Sequence, residues 1–108
     1  MPEAMMNELV AGILKTAGGK IAEIILYGSR AKGTNDADSD IDIALLTKDT
    51  LTAKELDVLS DFIVDMNLKY DAVFSVIDLL EKEYREWKDL IPFYKNVTRE
   101  GIRLWKAA

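Results

Sequence analysis

The sequence predicts an α/β (α+β) fold, a small mixed sheet flanked by helices, and three observations point there. Short apolar, β-branched runs occupy Ile21–Tyr27, 40–46 and 70–77. Segments of helical period separate and follow them. The 108 residues contain no internal repeat and no low-complexity linker, so one domain spanning 1–108 is expected.

The elements follow in order. Residues 3–18 carry Met6, Leu9, Val10, Ile13 and Leu14 on one helical face, and Gly18-Gly19 closes that helix. Ile21–Tyr27 reads as the first strand. Residues 28–33 form a turn that opens a short helix, 35–39 a polar loop, and 40–46 the second strand. Residues 52–69 read as a helix, with Thr52 as cap and Glu55 completing a capping box. Residues 70–77 are expected as the third strand. Two helices then follow over 79–89 and 92–105, parted by Pro92.

Composition removes several chemistries. Hydrophobic residues make up 49% and charged residues 31%, as in ordinary globular domains. No apolar run reaches the ~20 residues that span a bilayer, and the start lacks a signal-peptide pattern, so a cytoplasmic location is expected. With no Cys, thiolate metal sites and thiol nucleophiles are excluded. With no His, the usual general base and the Ser-His-Asp triad are excluded too. Catalysis must rest on Asp, Glu, Lys, Tyr, backbone amides or a bound cation. Oxygen ligands suit hard ions such as Mg²⁺ or Mn²⁺. A net charge of −5 opposes duplex nucleic-acid binding.

The informative stretch is 26–46. Asp40 and Asp42 alternate with Ile41 and Ile43, so on a strand both carboxylates face one way and both isoleucines the core. Two such anions repel, and a divalent cation relieves the conflict. Asp71, placed at the start of the third strand, would bring a third carboxylate if that strand lies beside the second. Gly28 allows close backbone approach to a ligand, and Ser29 with nearby amides could hold phosphate. Rival motifs fail at particular positions. Gly28-x₄-Gly33-Thr34 lacks the Lys of a P-loop. The Asp36-x-Asp38-x-Asp40 series has Ile41 where a Ca²⁺ loop needs Gly, and Thr47 where it needs Glu.

Gly28-Ser29, ten residues, then Asp40-x-Asp42 resembles the signature of the polymerase β-like nucleotidyltransferase superfamily. The fuller pattern Gly28-Ser29-Arg30-Ala31-x-Gly33 with Ser39-Asp40-Ile41-Asp42 resembles its minimal (MNT) branch, which supplies antitoxins of HEPN/MNT toxin–antitoxin pairs. Residues 98–105 also resemble that branch's C-terminal helix. The resemblance implies AMP transfer from ATP, or from another NTP, to a protein hydroxyl, with a Tyr of a HEPN toxin as acceptor. Asp40 and Asp42 would bind the Mg²⁺ carrying the triphosphate, and Asp71 would share a second ion and take the hydroxyl proton. Gly28, Ser29, Arg30 and Gly33 would cradle the nucleotide, with Arg30 or Lys32 neutralising developing charge.

Other features read as structure. Tyr84, Trp87, Tyr94 and Trp105 are expected to pack helices, and Asp78 sits too late to join the carboxylates. The charged run from Lys82 to Lys88 is expected to be a solvated helix face. A homo-oligomer is compatible with this reading. Two alternatives stand beside the enzyme: a non-catalytic module of the same fold that silences its partner by contact, and a small-molecule nucleotidyltransferase whose acceptor site lies on another chain.

Overall fold

A computed structural model describes residues 3–28, 31, 33 and 40–108. Helix α1 (Glu3–Ala17) buries Met5, Leu9, Ile13 and Ala17, an i, i+4 stripe. A 3₁₀ turn, Gly18–Lys20, delivers the chain to strand β1 (Ile21–Tyr27). Strand β2 (Ile41–Thr47) follows, then helix α2 (Ala53–Tyr70) and strand β3 (Phe74–Leu80). Two short helices, α3 (Glu81–Trp87) and α4 (Pro92–Glu100), lead to strand β4 (Ile102–Lys106).

The sheet order is β3-β2-β1-β4. β1 lies antiparallel to both β2 and β4, and β3 runs parallel to β2. Both faces are covered. α1 and α2 close one core over Ile24, Leu26, Ile41, Ile43 and Leu45. Tyr84 of α3 and Val97 of α4 close the other, over Ile25, Ala44 and Leu46. This alternation along β1 and β2 is the period-2 geometry of a strand buried on two sides.

Two sequence expectations give way. The third strand begins at Phe74 rather than 70, because α2 continues through Tyr70 and is closed by its own cap. Asp71 takes the left-handed conformation (φ 48°, ψ 50°) with its N–H on the Asn67 carbonyl. The Asn67 side chain accepts from the Phe74 N–H at 2.8 Å, so one residue joins helix end to strand start. The second correction concerns 92–105, expected as helix throughout. α4 stops at Glu100, and Ile102–Lys106 pairs with β1 instead. At Gly101 an added Cβ would strike the Val97 carbonyl and Ile25, a contact only glycine escapes. Trp105 therefore sits on a strand, half-buried against the α1 side of the sheet.

The capping box of α2 forms as expected. Thr52 Oγ1 accepts from the Glu55 N–H at 3.1 Å, and Glu55 Oε1 accepts from the Thr52 N–H at 2.8 Å. Lys20 Nζ joins at 2.7 Å from Glu55 Oε1, tying the cap to the turn before β1.

Candidate active site

β1 and β2 run antiparallel, so the end of β1 and the start of β2 meet at one end of the sheet. Tyr27 lies opposite Asp42 there. Asp40 is exposed just before β2, and Asp42 is half-buried within it. Ile41, between them, is buried in the α1–α2 core. Both carboxylates thus lie on the opposite face, the one that carries Tyr27 and Ala44.

Charge accumulates at this end. Burial and then the neighbouring Asp40 push the Asp42 carboxyl above the usual carboxylate range. Burial and then Asp42 push the Tyr27 phenol up as well, which keeps it neutral. A divalent cation is the species that would hold both carboxylates ionised. The donor set, two carboxylates with no nitrogen or sulfur ligand, fits a hard ion such as Mg²⁺ or Mn²⁺.

Gly28 follows Tyr27 with φ +77°, a conformation that favours glycine. A Cβ at this position would collide with the Asp42 carboxylate. The sequence suggested glycine here for approach to phosphate; the geometry adds that Asp42 itself occupies the space. Gly33 also has positive φ, +74°, and among the described residues nothing lies within 4 Å of its missing Cβ. Ser29, Arg30, Lys32 and Ser39 lie outside the described residues, as does the polar loop they flank.

Asp71 does not join the pair. It is exposed at the end of α2, three residues before β3. Parallel pairing sets Ile41 level with Phe74 and Asp42 level with Ser75. The row beside Asp42 therefore carries a hydroxyl, not a third carboxylate. Among the described residues, no three acidic side chains assemble into a group able to hold a metal ion. The expected strand start at residue 70 gives way because α2 runs through Tyr70 and Asp71 caps it, which keeps Asp71 off β3. Asp78 is exposed farther along β3, level with Leu45.

Three residues escaped the sequence reading. Tyr27 borders Asp42, Ser75 sits level with it, and Phe93 packs edge-on against Tyr27 with ring centroids 5.6 Å apart. Phe93 lies in the first turn of α4, behind Pro92, so that helix begins beside the acidic end of the sheet. Tyr27 had one signal, its place directly before Gly28. Ser75 and Phe93 depend on long-range pairing and had none. Tyr84 and Tyr94 pack as expected, 5.7 Å apart, while Trp87 is largely exposed.

Comparison with known proteins agrees with this geometry. Residues 8–107 match the family model described as polymerase beta, nucleotidyltransferase. A relative from Methanocaldococcus jannaschii, "Putative protein adenylyltransferase MJ0604", is 33% identical over 103 residues, covering 95% of this chain and 97% of its own. A toxin–antitoxin crystal structure with AMP-PNP superposes with TM-score 0.64 at 24% identity, over 94% of this chain and 73% of that one. The complex of tri-AMPylated Shewanella oneidensis HEPN toxin with MNT antitoxin gives TM-score 0.64 at 21% identity, over 99% and 74%. At these identities the two structures speak for the fold.

Proposed function

Because this chain belongs to the polymerase beta nucleotidyltransferase family, we propose that it transfers AMP from ATP to a hydroxyl of a partner protein, and that the partner is a HEPN-domain toxin which it restrains as antitoxin. The observation carrying this reading is Asp42 on β2, packed against Gly28 at the end of β1, with Asp40 two residues before it. The M. jannaschii relative named as a protein adenylyltransferase matches nearly end to end and supports a protein acceptor. The HEPN partner rests on the structural neighbours, which are toxin–antitoxin complexes.

Asp40 and Asp42 would hold Mg²⁺ or Mn²⁺. An ion bound there would neutralise the triphosphate and align its α-phosphorus. The chain's own groups do the rest. Gly28 leaves room for the Asp42 carboxylate, and Tyr27 stays neutral against it. Ser29, Arg30 and the amides of the turn leading to Gly33 receive the phosphates, by the family pattern. The acceptor hydroxyl forms the new P–O bond as pyrophosphate leaves, and its proton passes to solvent. An open site on a small sheet suits an acceptor that docks from outside, a tyrosine hydroxyl included.

The test is to incubate the chain with the HEPN-domain protein encoded beside it, ATP and Mg²⁺, and to weigh that protein by mass spectrometry. One or more AMP additions are expected with wild type and none with Asp40→Ala/Asp42→Ala. An unchanged mass with the toxin nonetheless silenced would replace transfer with restraint by contact. Asp71→Asn separates the two-carboxylate site from a three-carboxylate one: Mn²⁺ affinity in the presence of ATP should be unchanged in this variant and lost in Asp42→Asn.

A further inference from the structure

Helix α2 leaves a largely apolar row uncovered. Leu56, Val64 and Leu68, with Ser60 between the first two, follow at i, i+4 spacing and form a single ridge along the helix. Val64 is 53% and Leu68 79% exposed, far from the burial expected of a core-facing row. Beside the ridge runs a groove of about 280 Å³ between α2 and β3, floored by Leu59, Ile63, Phe74 and Val76. β3 is an outer strand of the sheet, and among the described residues no element closes this side. Val73, just before β3, extends the apolar surface and is 54% exposed.

Carboxylates stand on both sides of the groove. Asp78 of β3 is one of its lining residues, and exposed Asp57, Asp61 and Asp65 form an i, i+4 row on α2 beside the ridge, outside the lining itself. Among the described residues none of these four carboxylates forms an ion pair. An apolar floor with unpaired carboxylates on both sides selects its occupant. A second copy placed by a two-fold axis would set these carboxylates against their own equivalents, which is repulsive. A helix with apolar residues at i, i+4 and i+7 and Lys or Arg on its flanks would fill the groove and pair the carboxylates on both sides.

We propose that the α2–β3 groove docks a basic-flanked amphipathic helix of the acceptor protein. The proposal takes that acceptor from the reading given above. Position supports the assignment. The groove's Phe74 end is level with Ile41, between Asp40 and Asp42, and the Leu68 end of α2 leads into the same edge. An acceptor seated there is held at the sheet end where transfer would occur, with only the β3 edge between the two faces.

The experiment measures binding of the adjacent-gene HEPN-domain protein to wild type, Val64→Arg and Asp61→Lys/Asp65→Lys, by calorimetry at low and high salt. All three substituted positions are exposed, and unchanged Mn²⁺–ATP binding at Asp40 and Asp42 confirms an intact site. Val64→Arg should weaken the complex by about tenfold or more, the scale of losing one anchoring side chain. Asp61→Lys/Asp65→Lys should weaken it at low salt and flatten the salt dependence. A photo-crosslinker at Val64 should attach to a Lys- or Arg-flanked helix of the partner. Wild-type affinity in Val64→Arg overturns the proposal, as does a wild-type homodimer that the same substitution dissociates. AMP transfer that continues undiminished in Val64→Arg also overturns the groove and leaves the reaction standing. Groove-dependent binding with no AMP added overturns the reaction and leaves the groove.

Discussion

At the scale of single residues, Gly28 and Asp42 share one volume. Replacing either glycine of positive φ, Gly28 or Gly33, forces a Cβ into the left-handed region at about 1–2 kcal/mol. Among the described residues, the new atom meets a carboxylate at Gly28 and none at Gly33. Gly28→Ala and Gly33→Ala should therefore both lower thermal stability, while only Gly28→Ala lowers Mn²⁺ affinity; equal metal binding by the two would disconnect Gly28 from Asp42. Asp42 also carries a pH signature. Its folded pKa is raised, by burial first and Asp40 second, so the fold holds a proton that the unfolded chain has released. The metal-free protein is favoured below the ordinary carboxylate range and loses that margin as pH rises through the raised value. Metal binding runs the other way and should weaken as pH falls through the same window. Asp40→Asn should move the Asp42 titration to lower pH, read by NMR on the metal-free protein. Asp40 and Asp42 were legible in the sequence because strand alternation is local. Asp71 was misread because its meaning depended on the register between β2 and β3, which no local pattern states.

At the scale of elements, local chemistry and long-range pairing separate clearly. The cap of α2 was readable from Thr52 and Glu55 alone, and it makes a sharp prediction. Thr52→Ala should cost about 1 kcal/mol in denaturant unfolding. Glu55 is held down to about 2, by the Lys20 hydrogen bond first and the Thr52 N–H second. A depressed carboxyl stabilises the fold above the ordinary carboxylate range, and that contribution disappears as pH falls toward 2. Glu55→Gln should therefore flatten the acid limb of the stability profile; an unchanged limb would remove the cap from the account of acid unfolding. α1 and β1 were equally readable, each from its own periodicity. β4 was not. Ile102-Arg103-Leu104-Trp105-Lys106 does not alternate, since Leu104 and Trp105 are adjacent, and only pairing with β1 makes these five residues a strand. The run at 70–77 begins a strand on paper, yet α2 continues through Tyr70 and Asp71 caps it. The apolar row of α2 was visible as helix but not as surface, since exposure is decided by what the sheet leaves uncovered.

At the scale of the whole molecule, Glu23 joins three elements. It lies on β1 with its side chain only 6% exposed. Arg85 of α3 donates to Oε2 at 3.0 Å, and Arg103 of β4 donates to Oε1 at 2.7 Å. Arg85 bonds Glu81 as well, so the charged run on α3 is only partly a solvated face. The guanidiniums keep half their surface in water, while the carboxylate has none to turn to. Removing both cations with Arg85→Ala/Arg103→Ala should thus cost about 3 kcal/mol, more than Glu23→Gln, which leaves only solvated arginines behind. Chemical denaturation compares the two variants, and a larger loss in Glu23→Gln would invert the argument. The 80 residues between Glu23 and Arg103 also set an order of events in time. A ribosome delivers β1 and β2 early, and their antiparallel pairing can form at once. The strand that covers the other side of β1 follows much later in the chain, and of the two cations on Glu23 Arg85 precedes Arg103. Until β4 pairs, the nascent chain carries an open side on β1, so joining that strand is a long loop closure, slow by nature and within reach of proteases.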